Sequence, residues 1–238
     1  MSGAEASVGA SLVKVGVAVI QRAAPTGIAL LKSWLKGKDV LIVGQARAGK
    51  TTFVEYLQHG LFEDEKEKEK TKREEKTARF NIKMGRDSSL ELSVKRVRDV
   101  PGQWGPVAHA DLVAYHRPHA LLIFVDLANP LRGKSERASA AWLLEFCRHL
   151  ELKWRIRGRK ANRIKSIILV MNKLDKSDAK KIEGRKKEFR KILNAELREA
   201  RGLMIDEIAI LPCVVVTNSE GTKAVDGVIT HLAKALAK

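Results

Sequence analysis

The sequence has few cysteines, few aromatic residues and no long hydrophobic run. Cys147 and Cys213 are the two cysteines among 238 residues, and both lie in apolar stretches, which excludes a disulfide-rich secreted scaffold and indicates buried thiols in a reducing cytosol. Aromatic residues make up 5%, without an RNP motif or zinc-finger spacing, which disfavours a dedicated nucleic-acid reader. The apolar run at residues 8–20 contains Lys14 and is shorter than the roughly 20 residues that a membrane-spanning helix requires.

Residues 1–38 form an apolar and amphipathic segment ahead of the main domain. Ile28, Leu31 and Leu35 recur at helical spacing beside lysines, which predicts a short basic amphipathic helix. Three destinations stay open for residues 8–35: a membrane surface, a partner protein or the chain's own domain.

The chain is strongly basic, with a formal net charge of +17. Residues 148–165 hold eight Lys or Arg against one Glu, and residues 176–191 hold eight against three acids. An anionic membrane surface, an acidic protein and nucleic acid all fit such faces, as does plain solvation. With aromatics so scarce, we expect no specific nucleic acid partner, and a cytoplasmic protein that associates peripherally with a membrane as one option.

Apolar strands alternate with helical patterns from residue 39 onward. This alternation predicts an α/β domain over residues 39–238, with a mostly parallel six-stranded sheet, one antiparallel edge strand and helices on both faces. Polar residues end the apolar runs, and that edge of an open α/β sheet is where ligands bind. The predicted elements are strands at 39–44, 119–129, 166–175 and 208–218, a hairpin at 77–84 and 90–100, and helices at 50–60, 134–150, 179–201 and 222–237.

The stretch GQARAGKT, residues 44–51, fits the phosphate-loop pattern G-x-x-x-x-G-K-[ST] directly after a strand. Glycines let successive amide N–H groups face inward, and the amino end of the next helix adds positive charge, so such a loop holds phosphate oxygens. Lys50 would reach the β and γ phosphates, and Thr51 would bind Mg²⁺. Arg47 has three open roles: meeting a phosphate, contacting a partner or facing solvent. The predicted phosphate-binding residues are Gly44, Gln45, Ala46, Arg47, Ala48, Gly49, Lys50, Thr51 and Thr52.

A second motif, DVPGQ at 99–103, stands at the end of the hairpin's second strand. Asp99 is predicted to hold Mg²⁺ through water, the Gly102 amide to bond the γ phosphate, and Gln103 to orient the attacking water. The pattern D-x-x-G is frequent by chance, and its place after an edge strand is what gives it weight.

A third motif, NKLD, ends another strand. Asn172 and Lys173 are predicted to frame the base, while the Asp175 carboxylate accepts two hydrogen bonds from guanine that adenine does not offer. Backbone amides near Asn218 and Ser219, in TNSEG, would bond the guanine carbonyl. The three motifs therefore favour guanine over adenine nucleotides.

The chain resembles the Ras-like small GTPase superfamily, and is most similar to ADP-ribosylation-factor-type GTPases. The resemblance rests on AGKTT at 48–52 and DVPGQ at 99–103. It implies a P-loop NTPase G domain. The chain departs from the family in a strongly charged switch I loop at 61–76 and a basic insertion at 151–165. The resemblance also implies GTP and GDP as ligands with Mg²⁺, and effector or regulatory proteins that bind two switch loops.

Together these features predict a switch that binds GTP with Mg²⁺ and hydrolyses it slowly to GDP. Gln103 would orient water and Lys50 would neutralise phosphate charge. The alternative is a GTP-loaded scaffold with little hydrolysis that recruits partners or a membrane surface. The switch I threonine is not fixed by a motif, and Thr71 is the second choice after Thr77. The predicted Mg²⁺ ligands are Thr51, Thr77 and Asp99.

Overall fold

A computed structural model describes residues 38–59, 75–76, 80–84, 90–99, 102–134, 138–157, 163–176, 179–198, 207–213 and 219–237. The predictions for residues 1–37, for 61–74 of the charged loop, and for Thr71, Thr77 and Asn218 lie outside the described residues. They stay predictions.

The described strands form a single seven-stranded sheet. In chain order the strands are β1 (Lys38–Gly44), β2 (Glu75–Lys76), β3 (Phe80–Met84), β4 (Leu90–Asp99), β5 (Ala120–Asp126), β6 (Ser166–Asn172) and β7 (Glu207–Pro212). Their spatial order is β2-β4-β1-β5-β6-β7, and β3 also pairs with β4. β2 and β3 run antiparallel to β4, and all other pairs are parallel.

The α/β class and the mostly parallel sheet agree with the sequence, but the prediction of six strands with one antiparallel edge strand is wrong. The additional strand, β2, is a pair of charged residues inside the predicted charged loop. Two charged residues carry no apolar alternation, so no strand signal was present there. Two segments therefore pair antiparallel with β4, whereas β1, β5, β6 and β7 are all parallel.

The described residues contain five α-helices: α1 (Lys50–His59), α2 (Gly105–His116), α3 (Ser139–Arg157), α4 (Ala179–Glu196) and α5 (Ser219–Ala237). The sequence predicted four of them, with shifted ends, and missed α2. Pro106 occupies its first turn, where the missing N–H costs nothing. Arg117 then ends it in a left-handed conformation, and its N–H donates to the Val113 carbonyl over 3.0 Å.

Helix α3 is displaced from the predicted range of 134–150. It continues through residues 151–157, which the sequence assigned to an inserted loop at 151–165. The buried stripe explains the extension, because Leu150 and Trp154 lie four residues apart and are 0% and 3% exposed.

Helices cover both faces of the sheet, as predicted, and each face has its own apolar core. The first core joins alternate residues of β1, β5 and β6 to α2, α3 and α4, and includes Leu41, Ile123, Trp142, Leu169 and Phe189. The second joins the opposite residues of the same strands to α1 and α5, and includes Ile42, Phe53, Phe124, Val170 and Leu232. Cys147 and Cys213 are not joined by a disulfide, and both are buried in these cores. Among the described helices, none has the length and apolar composition to cross a membrane.

Candidate functional site

The loop from β1 to α1 has the backbone shape that the phosphate-loop motif requires. Gly44, Arg47 and Gly49 adopt φ angles of +141°, +60° and +87°. A Cβ atom on Gly44 would lie 2.1 Å from the carbonyl oxygen of Phe124, so β5 leaves space for glycine alone. The Gln45 N–H then donates to that same carbonyl over 3.1 Å. The first residues of the loop are thus held against β5.

Lys50 places a positive charge within this loop. Its side chain is 6% exposed, and its Nζ donates to the carbonyl oxygens of Gly44 at 3.1 Å and Gln45 at 2.8 Å. Amide groups in the first turn of a helix have no acceptor within that helix, and Thr51 and Thr52 lie in the first turn of α1. The Lys50 ammonium and the amino end of α1 therefore both lie at the loop, an arrangement that suits the binding of a phosphate group. Arg47, by contrast, is exposed.

The NKLD segment is tied directly to the phosphate loop. Asn172 is 2% exposed, and its Nδ2 donates to the Ala48 carbonyl over 2.8 Å. Lys173 follows with a left-handed φ of +64°, and Asp175 lies exposed in a 3₁₀ turn, Leu174–Lys176. The predicted base-binding residues thus stand beside the predicted phosphate-binding residues.

Asp126, at the end of β5, lies between the two loops. Its backbone N–H donates to Gln45 Oε1 over 3.1 Å, and Lys173 Nζ donates to its Oδ2 over 2.5 Å. Its Oδ1 accepts the Ala128 N–H at 2.8 Å. Gln45 is 1% exposed, and among the described residues its Nε2 has no hydrogen-bond partner.

The DVPGQ segment reaches the same edge of the sheet from the other side. Asp99 pairs in register with Ile42 near the end of β1, although its side chain is outside the described set. A Cβ on Gly102 would lie 2.4 Å from the Cα of Ala46, so the Gly102 backbone packs against the phosphate loop. Gln103 is exposed in the 3₁₀ turn Gly102–Trp104 that precedes α2.

Most predicted site residues meet at one edge of the sheet, and the structure says less about three others. Thr77 and Asn218 lie outside the described residues. Ser219 is the first residue of α5, rather than part of a loop extending to residue 221, and its side chain is not described.

Sequence reasoning missed Asp126 and His109. His109 of α2 is 0% exposed, its Nδ1 accepts the Gly44 N–H at 3.4 Å, and its ring meets Trp142 edge-on at 5.4 Å. A polar residue ending the apolar run of β5 was a usable signal for Asp126. No sequence signal marked His109, because α2 itself was not predicted.

One polar contact joins α1 to α5 on the second core. The Tyr56 hydroxyl donates to Asp226 Oδ1 over 2.9 Å. Burial raises the pKa of both groups, and the Tyr56 hydrogen bond opposes the rise for Asp226.

No protein-family profile matches the sequence, and no curated protein does. Solved structures do resemble this chain. The signal recognition particle receptor SRb-GTP/SRX complex from Chaetomium thermophilum contains a chain with a TM-score of 0.53 and 13% identity, over 78% of this chain and 96% of that one. A chain of the mammalian SRP receptor has a TM-score of 0.53 and 19% identity, over 83% of this chain and 100% of that one.

A bacterial selenocysteine-specific elongation factor, EF-Sec, has a TM-score of 0.51 and 19% identity, over 83% of this chain and 29% of that protein. At these identities the likeness shows the fold alone. The chain has the α/β P-loop fold that these proteins share.

Proposed function

We propose that this protein is a guanine-nucleotide switch that binds GTP with Mg²⁺ and hydrolyses it slowly to GDP. The single observation that carries the proposal is the hydrogen bond from Asn172 to Ala48 at 2.8 Å, which joins the base-binding motif to the phosphate loop at one sheet edge. The proposal is also supported by the fold that this chain shares with a chain of the SRb-GTP/SRX complex, whose name includes GTP.

In this proposal each motif has one task. Lys50 and the amides of residues 46–51 bind the β and γ phosphates, and the Gly102 amide contacts the γ phosphate. Gln103 orients the attacking water. Mg²⁺ would neutralise charge on the phosphate oxygens, with Thr51, Thr77 and Asp99 as its ligands.

Base selectivity is assigned to Asp175. Isothermal titration should show GTP bound far more tightly than ATP, because adenine would leave the carboxylate without its two donors. Asp175→Asn should shift the preference towards xanthosine nucleotides, whose exocyclic oxygen suits an amide donor. Equal affinities for ATP and GTP in the unmodified protein would contradict the guanine assignment.

A scaffold with little hydrolysis is the second candidate function, favoured by one observation. Gln103 is exposed in the 3₁₀ turn that precedes α2. Single-turnover GTP hydrolysis by the unmodified protein and by Gln103→Leu separates the two. A slow rate that drops at least about tenfold in the variant supports the GTPase, whereas equal rates support the scaffold.

We also propose partner proteins at the switch loops and a cytoplasmic location with peripheral membrane association. The SRb neighbour is named in complex with SRX, which supports a protein partner. The basic segments and residues 8–35 support an anionic membrane surface. The finer resemblance to ADP-ribosylation-factor-type GTPases rests on AGKTT and DVPGQ alone.

A further inference from the structure

Asp126 is a buried acidic group at the candidate site whose carboxylate is held by neighbouring groups. Its side chain is 5% exposed, and both of its oxygens are engaged: Oδ2 by Lys173 Nζ at 2.5 Å and Oδ1 by the Ala128 N–H at 2.8 Å. It lies opposite Asn172 in the register between β5 and β6. Its carboxylate therefore has a fixed position beside the base-binding motif.

Lys173 depends on this carboxylate more than an ordinary surface lysine would. It is one of three described residues other than glycine with a positive φ, here +64°, a conformation that is unfavourable for a side chain with a Cβ. Such a conformation persists where surrounding contacts hold it. The ion pair with Asp126 is the contact that holds the Lys173 ammonium, and it leaves that side chain 26% exposed at the mouth of the site.

The backbone around Asp126 is held from three directions. Gln45 Oε1, from the phosphate loop, accepts the Asp126 N–H at 3.1 Å. From β6, the Asn172 carbonyl accepts the Leu127 N–H at 3.0 Å. Arg185 of α4 donates to the carbonyl oxygens of Leu127 and Asn129. Movement of Asp126 would therefore disturb the phosphate loop, β6 and α4 together.

We propose that Asp126, held by Gln45, is a positioning residue that fixes Lys173 against the base and thereby slows the release of guanine nucleotide. The proposal rests on the proposed function, because it assigns a role within the same nucleotide site. It adds a chain of contacts from the phosphate loop to the base: Gln45, then Asp126, then Lys173.

A surface ion pair in the same protein provides the contrast. Asp111 Oδ1 lies 2.7 Å from Lys153 Nζ between α2 and α3, with side chains that are 51% and 34% exposed. Exposed pairs of this kind contribute little because water and salt screen them. If Asp126 were an ordinary ion-pair partner of a lysine, removing the charge of Asp126 or that of Asp111 would change nucleotide release to a similar extent.

The experiment compares Asp126→Asn with Asp111→Asn by the release rate of fluorescent GDP from the full chain. Asparagine retains an oxygen that can accept the Ala128 N–H. Asp126→Asn therefore removes the negative charge and keeps the turn at Ala128 intact. We expect release to accelerate at least about tenfold in Asp126→Asn and to stay within about twofold in Asp111→Asn. Melting temperatures, measured without nucleotide, establish that both variants are folded.

The decisive readout is a double-mutant cycle with Lys173→Met. If Asp126 acts through Lys173, Asp126→Asn adds no further acceleration in the Lys173→Met background. The positioning role is overturned if the accelerations of the two single variants multiply in the double variant. It is also overturned if Asp126→Asn releases GDP as slowly as the unmodified protein. Neither result affects the assignment of GTP binding. Failure of the unmodified protein to bind GDP or GTP overturns both this proposal and the proposed function.

Discussion

Gly44→Ala places a methyl group where β5 leaves no room. The new Cβ would lie 2.1 Å from the Phe124 carbonyl oxygen, and real Cβ atoms essentially never come within 3.0 Å of such an atom. Strand β1 or β5 would have to move by nearly 1 Å within a packed sheet. We expect about 1–3 kcal/mol of unfolding free energy to be lost to the strained φ angle, and roughly 1–3 kcal/mol more to overpacking.

Gly133→Ala separates these two contributions. Its φ of +136° nearly equals the +141° of Gly44, but its Cβ would meet the Ala138 methyl group at 3.6 Å, an ordinary contact. This control should therefore lose only the backbone part, about 1–3 kcal/mol.

Urea denaturation of both variants, at equal m-values, gives the two free energies. We expect Gly44→Ala to lose the greater amount and to bind GDP poorly, because the phosphate loop starts at that residue, while Gly133→Ala keeps GDP binding. Equal losses in the two variants would refute the idea that close packing of β1 on β5 demands glycine at the start of the loop.

Three further outcomes can be measured on the same protein. Gly184→Ala, within α4 and with nothing within 4 Å of the new methyl group, should raise the unfolding free energy by about 0.5–1 kcal/mol in urea denaturation; a loss would contradict the open surroundings. Burial raises the pKa of Asp226 in the folded state above its value in the unfolded state. The protonated carboxyl therefore contributes its full stabilisation below the unfolded-state pKa, and this contribution is lost as the pH rises through the folded-state pKa. Asp226→Asn should therefore melt at a higher temperature at pH 7, with the difference closing below about pH 4; a difference independent of pH would contradict the burial argument. The full chain should sediment weakly with anionic vesicles in low salt and be released at about 0.3 M salt; no sedimentation at low salt would favour a protein partner.

The strands at the centre of the sheet were predictable because burial on both faces imposes a simple pattern. β5 and β6 are buried along their whole length and read as continuous apolar runs. The phosphate loop was predictable for a different reason, since few sequences satisfy its glycine, lysine and threonine spacing after a strand.

Helix α2 was not predictable in the same way. Its buried residues include His109 and Pro106, which normally indicate a surface or a turn. His109 is buried because the Gly44 N–H and the Trp142 ring surround it, and both partners are distant in sequence. A polar residue that is buried by partners distant in sequence does not contribute to a periodic pattern of apolar residues.

The candidate site depends on strand register as much as on its motifs. The Asn172 side chain and the Ala48 carbonyl are 124 positions apart, and they meet because Gly44 lies opposite Phe124 in β5 while Asp126 lies opposite Asn172 in β6. A slip of one residue in either pairing would send a strand's side chains to the opposite face of the sheet. The two apolar cores oppose that slip, because alternate residues of each strand belong to different cores. The same burial that makes these strands recognisable in the sequence therefore sets the separation of phosphate loop and base-binding motif.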